Sequence, residues 1–255
     1  ALEGIMTIGG LMGVMMIIAM PEGASNFMIV LMSILAAGAA GVIYSAMLAF
    51  ASVNLKADQT IGGTALNLLA TALAMVVVKR FNGNQSSKLS YNNAAFIYNI
   101  GGLTVNVFLF IGIILLILSI IVLYKTRFGL RLRSCGEHPQ AADSVGINVY
   151  KMRWAGVLIS GLLGGIGGFA YIVPAVQTWN FEVGVAGMGF LALAVMIFGQ
   201  WRPGRIFLAA MFFAVFKALA NISDSTFLQA LKWPKEIYNM MPFIASMIVL
   251  AFTSG

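Results

Sequence analysis

Residues Tyr124 to Arg153 read YKTRFGLRLRSCGEHPQAADSVGINVYKMR and form the longest polar interval between two strongly apolar runs. Six of the chain's 15 Lys and Arg residues lie here (Lys125, Arg127, Arg131, Arg133, Lys151 and Arg153), against only Glu137 and Asp143. In a membrane protein such a basic interval marks the cytoplasmic side. It also carries its own folding plan. Pro139 suits the first position of a short helix, and Gly146 suits the residue just past its end. In that helix Ala141, Ala142 and Val145 are expected on one face, with Gln140, Asp143 and Ser144 elsewhere. A small-residue helix on a polar loop is shaped to dock into a partner's groove.

The rest of the chain explains why so polar an interval stands out. Of 255 residues, 60% are hydrophobic and 9% are charged, and the mean hydropathy is +0.95. Soluble domains carry about 25% charged residues. The composition therefore predicts an all-α polytopic transmembrane bundle, with room for about eight spans of roughly 20 residues. The pI near 9.7 is no sign of nucleic-acid binding. The excess cations flank membrane spans, where they set orientation and meet anionic lipid. Cys135 is the one cysteine, so no internal disulfide forms, and one Cys with one His makes no zinc site. The chain begins Ala1-Leu2-Glu3-Gly4 without Met and stops at Gly255 just after an apolar run, so both ends of a longer protein are expected to be missing.

Apolar runs are expected as spans over 5–20, 26–51, 61–78, 103–124, 154–174, 185–198, 206–221 and 239–253, the run 185–198 being short for a crossing. Glu3 falls at or near membrane depth, where an ionisable group is costly and marks a functional candidate, unless it is simply solvated. Asn67 lies inside a span, to hydrogen-bond a neighbouring helix or to touch substrate. Gly161 and Gly165, and again Gly164 and Gly168, are four apart, the spacing that lets helices cross closely, and Ala36 to Gly41 is a second small-residue patch. The glycine run is no phosphate loop, for it lacks the Lys and hydroxyl residue of GxxxxGK[ST]. Gln177, Trp179 and Glu182 are expected in a short outer segment, facing a substrate-delivering receptor or lying in an interfacial belt. Residues 52–60, 125–153 and 200–205 are expected inside. Lys79, Arg80 and Lys88, in a polar stretch expected outside, run against that orientation.

FGLRLRSCGEHPQAADSVGINVYKMRW (128–154) resembles the cytoplasmic coupling loop of bacterial ABC importer permeases in the branched-chain amino acid/ribose/nucleoside superfamily. Those permeases carry Gly-Leu-Arg-x-Arg, Gly-Glu-Asn-Pro, Ala-Ala and Gly-Ile-Asn-Val. Gly129, Leu130, Arg131, Arg133, Gly136, Glu137, Pro139, Ala141, Ala142, Gly146, Ile147, Asn148 and Val149 match, and His138 departs from the usual Asn. The start ALEGIM and the turn GQWRPGR are similar to further segments of that family.

The resemblance implies a single permease domain over 1–255 with the type II importer fold, in the bacterial plasma membrane. Implied partners are ABC ATPase subunits, a second permease subunit, an external substrate-binding lipoprotein or periplasmic protein, and membrane lipid. No cofactor is expected on this chain; ATP-Mg belongs to the ATPase. Coupling is assigned to Gly129, Arg131, Arg133, Gly136, Glu137, Pro139, Ala141, Ala142, Gly146 and Ile147. The substrate path is assigned to Glu3, Asn67, Phe190, Phe212 and Phe216. The loop is most like those of nucleoside permeases, so the cargo is expected to be a nucleoside or related ribosyl compound, with a simple sugar or branched-chain amino acid as alternatives.

Two other classes fit the residues less well. An ion-coupled secondary transporter shows paired intramembrane acids or interrupted helices in repeated halves, and only Glu3 approaches that. An intramembrane enzyme needs a nucleophile with its base, or metal ligands, and neither HExxH nor GxSxG occurs.

Overall fold

The computed structural model describes residues 1–222 apart from 22, 84, 85, 101 and 102, together with 240 and 244. The chain gathers into two compact units, Ala1–Gly189 and Phe190–Gly255. The first holds α1 (Leu2–Ala19), α2 (Asn26–Ala49, continued by a π-helical turn Phe50–Asn54), α3 (Gln59–Phe81), β1 (Lys88–Ser90), β2 (Ile97–Ile100), β3 (Leu103–Asn106), α4 (Val107–Lys125), α5 (Arg127–Glu137), α6 (Pro139–Ser144), α7 (Val149–Ala175) and β4 (Thr178–Asn180). Next come α8 (Met188–Phe198), which begins in the first unit, and α9 (Pro203–Ile222) in the second.

Among the described residues five helices are long and apolar enough to cross a membrane: α1, α2, α3, α4 and α7. Helix α8, at 11 residues, is too short, as the run 185–198 implied. Apart from residues 240 and 244, the expected last span 239–253, with Pro242, lies outside the described residues, as does nearly all of the polar loop before it.

Helices α1 and α2 pack on one face of α7, and α3 packs on α1. Gly161 and Gly165 lie against Ala37, Gly41 and Ser45 of α2, and Gly164 and Gly168 lie against Leu2, Ile5 and Met6 of α1. Gly161 thus faces α2 and Gly164 and Gly168 face α1, while Gly165 lies between both, for it also meets Gly9 of α1. A Cβ on Gly165 meets the backbone carbonyl of Ala37, and one on Gly168 meets that of Met6. Backbone cannot swing aside as a side chain does, so glycine is required at both. In lipid this close packing, and not exclusion from water, holds helices together.

The polar stretch that holds Lys79, Arg80 and Lys88 is not a plain loop. Helix α3 runs on to Phe81, and β1 pairs antiparallel with β4 while β2 pairs with β3. Leu103 to Asn106 is strand β3, not the start of a span, and Asn106 caps α4 by accepting from the Phe108 N–H. Short polar segments rich in Asn and Ser carry no clear period, so nothing in them announced strands. Phe96, Phe108 and Phe169, all buried, meet at centroid distances of 5.4–5.6 Å and fasten this region to α4 and α7.

Candidate functional site

The basic interval is a rigid corner. Thr126 ends α4 and opens α5, donating its hydroxyl to Val122 O (2.6 Å) and accepting from Gly129 N–H (3.1 Å). Gly129 is buried where a Cβ would run into the backbone of Val122 and Leu123, which explains a glycine at that point of the basic run. The Arg133 guanidinium sits 4.8 Å above the Tyr124 ring, tying α5 back to α4 by cation–π attraction. Pro139 then opens α6 at its first turn. Gly146, with φ +82°, closes it: Gly146 N–H donates to Asp143 O (2.9 Å) and Ile147 N–H to Ala142 O (3.1 Å). That pair of bonds is the Schellman arrangement, which satisfies carbonyls otherwise left open at a helix end. Asn148 caps α7 through Lys151 N–H (2.9 Å).

The face expected of α6 needs one correction. Ala141 and Val145 are exposed, but Ala142 is buried within the chain at 3%. Helix geometry turns a residue one position on by about 100°, so Ala142 anchors α6 while Ala141 and Val145, four apart, form its outer side. Arg131, Gly136 and Glu137 are exposed on α5, as is Arg133 beside Tyr124; Pro139 and Ile147 are half-buried, and Gly146 is exposed. The result is a small projecting knob with cations around its base. Residues 52–60 and the exit from 125–153 meet at one end of the unit: Trp154 Nε1–H donates to Asn54 Oδ1 at 3.0 Å. Asp58 caps α3 there, and the N–H groups of Ile61 and Thr60 hold its carboxyl below the usual carboxylate range.

Glu3 and Asn67, predicted separately for the path, come together. Asn67 Oδ1 accepts from the N–H of Gly4 (2.8 Å), joining α3 to α1. On the adjoining residue, the Glu3 carboxylate accepts from Gly187 N–H (2.8 Å) and Gly189 N–H (2.7 Å). Glu3 thus holds the first backbone donors of α8 and the turn leading into it, where a negative charge is favoured. Around this turn Phe181 and Val185 are fully buried, Thr7 is buried close by, and Ala186 adopts φ +53°. Sequence reading missed Gly187 and Gly189 as the partners of Glu3; the Gly-x-Gly just before an apolar run was the available signal.

In the second unit Phe212 and Phe216 lie edge to face at 4.9 Å, with Phe198 stacked on Phe212 at 5.8 Å. Phe190 is 60% exposed on α8. Gln200 and Trp201 of the GQWRPGR turn both have positive φ (51° and 59°), and Arg205 donates to the Gln200 side chain.

At the opposite end of the first unit, the expected outer residues are tied down. Gln177 donates to Asn93 Oδ1 (3.3 Å), and Trp179 Nε1–H donates to Gly184 O (2.9 Å). Glu182 accepts from the Ser87 hydroxyl (2.7 Å). That bond, then Asn180, then Lys79 and Lys88, keep its carboxyl below the ordinary range. The cations that ran against the orientation rule therefore have a local role, and Lys79 and Arg80 also sit in the last turn of α3, facing its carbonyl end. Tyr91 donates to Ile172 O (3.0 Å), and burial pushes its phenol well up. Among the described residues no three His, Cys, Asp or Glu side chains gather to hold a metal ion.

Known sequences place this geometry in context. The chain matches the family described as branched-chain amino acid transport system / permease component over residues 1–251. It is 41% identical to the nucleoside ABC transporter permease protein NupC of Lactococcus lactis, over 100% of this chain and 82% of that protein. It is 37% identical to the guanosine ABC transporter permease protein NupQ of Bacillus subtilis, over 98% of this chain and 81% of the relative. A more distant relative is the glucose ABC transporter permease protein TsgB13 of Haloferax volcanii, 24% identical over 71% of this chain and 51% of its own length. No solved structure matches.

Proposed function

We propose that this chain, which belongs to the permease-component family of branched-chain amino acid transport systems, is the multi-pass subunit of an ABC importer that carries nucleosides across the plasma membrane. The observation that carries the reading is similarity along the whole chain to two permeases named for nucleoside and guanosine transport. The residues agree with an uncharged cargo. A nucleoside needs apolar or aromatic walls and a few amide or hydroxyl groups, whereas a carboxylate cargo calls for a cation or an open helix N-terminus. The α8 N-terminal donors are already taken by Glu3.

The chain does no covalent chemistry in this reading; ATP is hydrolysed on partner ATPase subunits. Residues 1–255 act as one permease domain, a second permease subunit completes the path, and an external receptor delivers cargo. The knob of α5 and α6 faces the cytoplasm and docks on the ATPase. Ala141 and Val145 supply its outer side, Arg131 and Arg133 hold it against lipid headgroups or acidic ATPase groups, and Gly129, Thr126 and Gly146 fix its shape. Such a knob transmits a push only if it does not bend. Glu3, Asn67, Phe190, Phe212 and Phe216 remain the path residues, Glu3 and Asn67 by shaping the helices that border it.

The test is uptake of labelled guanosine or uridine into vesicles holding the permease, its ATPase and its receptor. ATP-dependent uptake, blocked by unlabelled nucleosides and untouched by ribose or leucine, is expected. If ribose, glucose or leucine is the species taken up and nucleosides do not compete, the cargo belongs to the sugar or amino-acid branch. Uptake that needs no ATPase, driven by an ion gradient, removes the ABC reading altogether.

A further inference from the structure

Helix α2 does not end as an ordinary α-helix. Its last turn, Phe50–Asn54, is π-helical, closed by Leu55 N–H on Phe50 O (3.2 Å), and the chain leaves it through Lys56 at φ +53°. A π turn holds one extra residue per turn and is seldom kept in a helix without a use. The body of α2 is fixed elsewhere, since the backbone of Ala37 and Gly41 and the side chain of Ser45 lie close against Gly161 and Gly165 of α7. The end of α2 is held differently. A cavity of about 410 Å³, lined by Leu48, Ser52, Leu132, Cys135, Met152 and Gly156, separates it from α5 and the first turns of α7. Across that region runs the hydrogen bond from Trp154 Nε1–H to Asn54 Oδ1 at 3.0 Å, linking residues 100 apart in sequence. Trp154 lies on α7 directly beyond the α5–α6 corner, and Asn54 is the last residue of the π turn.

We propose that Asn54 is a positioning residue for transport. Through Trp154 it passes displacement of the α5–α6 knob to α2, with the π turn as the element that yields. Migration of the extra residue along the helix moves the helix end by about 1.5 Å, the rise of one residue. Shifts of about 1–2 Å are what helices at packed interfaces accommodate when they switch. The cavity leaves α5 room to move, and the glycine contacts keep the body of α2 in step with α7. The Asn54 to Trp154 bond sets which position the end of α2 adopts. This inference rests on the ABC-importer reading above.

The experiment uses the complete importer in proteoliposomes and measures cargo taken up per ATP hydrolysed. The cargo is whichever of guanosine, uridine or ribose the unaltered complex accumulates with ATP. Asn54→Leu and Trp154→Phe each remove the bond, and each is expected to lower uptake per ATP about fivefold, the weight of one neutral hydrogen bond. ATP hydrolysis and recovery of the assembled complex stay near the unaltered level. The double variant is no worse than either single one, and Asn54→Asp, which keeps an acceptor oxygen, restores the ratio. An unchanged ratio in both single variants overturns the proposal. So does a fall in uptake that only tracks loss of assembled complex, which makes the contact merely structural. Failure of the unaltered complex to take up any of the three with ATP is a separate result; it removes the transport reading and this inference with it.

Discussion

Helices α4 and α7 both have the length and composition of membrane spans, yet they meet their surroundings in opposite ways. Helix α4 is the more apolar, with mean hydropathy 3.2 over its best window, and only 6% of that window is buried; α7 reaches 1.9 and is 39% buried. In a soluble protein the order would be reversed, because water drives the most apolar surface inward. In lipid that drive vanishes, since hydrocarbon is as good a neighbour for Ile114 as another side chain. What selects a helix for the interior is the ability to come close. Gly161, Gly164, Gly165 and Gly168 give α7 that ability, and α4, with Gly112 open to space, has no such run. In this chain hydropathy locates the spans, and close-packed glycines mark the interior ones, α7 and with it α1, whose Gly9, Gly10 and Gly13 meet Gly165, Gly168, Phe169 and Ile172 of α7.

The strongest break of that contrast uses two adjacent glycines of α7. A Cβ on Gly168 strikes the Met6 backbone, while one on Gly167 meets nothing within 4 Å. Gly168→Val is expected to cost more than about 3 kcal/mol, beyond the usual range for an overpacked core because backbone must separate. Gly167→Ala is expected to be neutral or to stabilise by up to about 1 kcal/mol, since a helix interior prefers Ala. The check is the midpoint of SDS-induced unfolding of the purified protein. Equal midpoints for the two variants would mean that α7 does not carry the tight contacts.

The next effect in size belongs to Glu3, which joins α1 to the start of α8 through two backbone N–H groups. Bonds to a charged acceptor contribute about 1.5–3 kcal/mol each when buried, and Glu3 is only half-buried. Glu3→Ala is therefore expected to cost about 1–3 kcal/mol in total, and Glu3→Gln less, because one oxygen still accepts. Hydrogen exchange at Gly187 and Gly189 is the local readout. Protection unchanged in Glu3→Ala would remove the carboxylate from that role.

How much of this was legible follows the same physics. The glycine pairs were readable because their spacing and their meaning in lipid are both fixed. The Pro139-to-Gly146 helix was readable because each end demands a special residue. Ala142 was misplaced because the outer side of a six-residue helix depends on where its neighbours lie, and no period is long enough to tell. The partners of Glu3 stayed hidden for a different reason. They are backbone N–H groups, the first of them 184 residues away, and the Gly-x-Gly that carries them marks a turn without saying which carboxylate it holds. The strands escaped because segments of three or four residues among Asn and Ser show no alternation to count. Family resemblance brought out the loop as far as Trp154, but it gave neither Trp154 nor Asn54 a role.

Asp58 tests the polar end of the same unit. Its side chain accepts from Thr60 N–H (2.7 Å) and Ile61 N–H (3.1 Å), and these bonds depress its folded pKa. A depressed carboxyl contributes stability above its unfolded pKa, about 3.9, and loses it as pH falls through the lower folded value. Asp58→Ala removes the cap and is expected to lower the thermal midpoint at neutral pH, by less than Glu3→Ala does, because the site is open to water. Asp58→Asn keeps an acceptor oxygen and should hold most of the midpoint. It should also lack this residue's share of the loss below pH of about 4, since its amide does not titrate. A thermal-midpoint series against pH, in detergent, distinguishes the variants. Identical pH profiles for the unaltered chain and Asp58→Asn would mean that the carboxylate charge adds nothing to the cap.

The smallest expected effect returns to α4 and decides whether the opening contrast holds in the assembled importer. Ile114 and Ile117 are 63% and 52% exposed on a helix of which little is buried. Truncating a side chain that faces lipid exchanges one hydrocarbon neighbour for another and opens no cavity, because lipid tails fill the space. The double change Ile114→Ala with Ile117→Ala is therefore expected to leave the isolated permease within about 0.5 kcal/mol of the unaltered chain, the range of ordinary surface substitutions. The same variant should be measured in the full complex, where the proposed second permease subunit would have a surface to cover. A loss there of about 2 kcal/mol or more, the scale of a buried Ile cut to Ala, with none in the isolated subunit, would place α4 at the subunit contact. No loss in either leaves α4 against lipid, and the proposed second subunit would then be held by another face of the bundle.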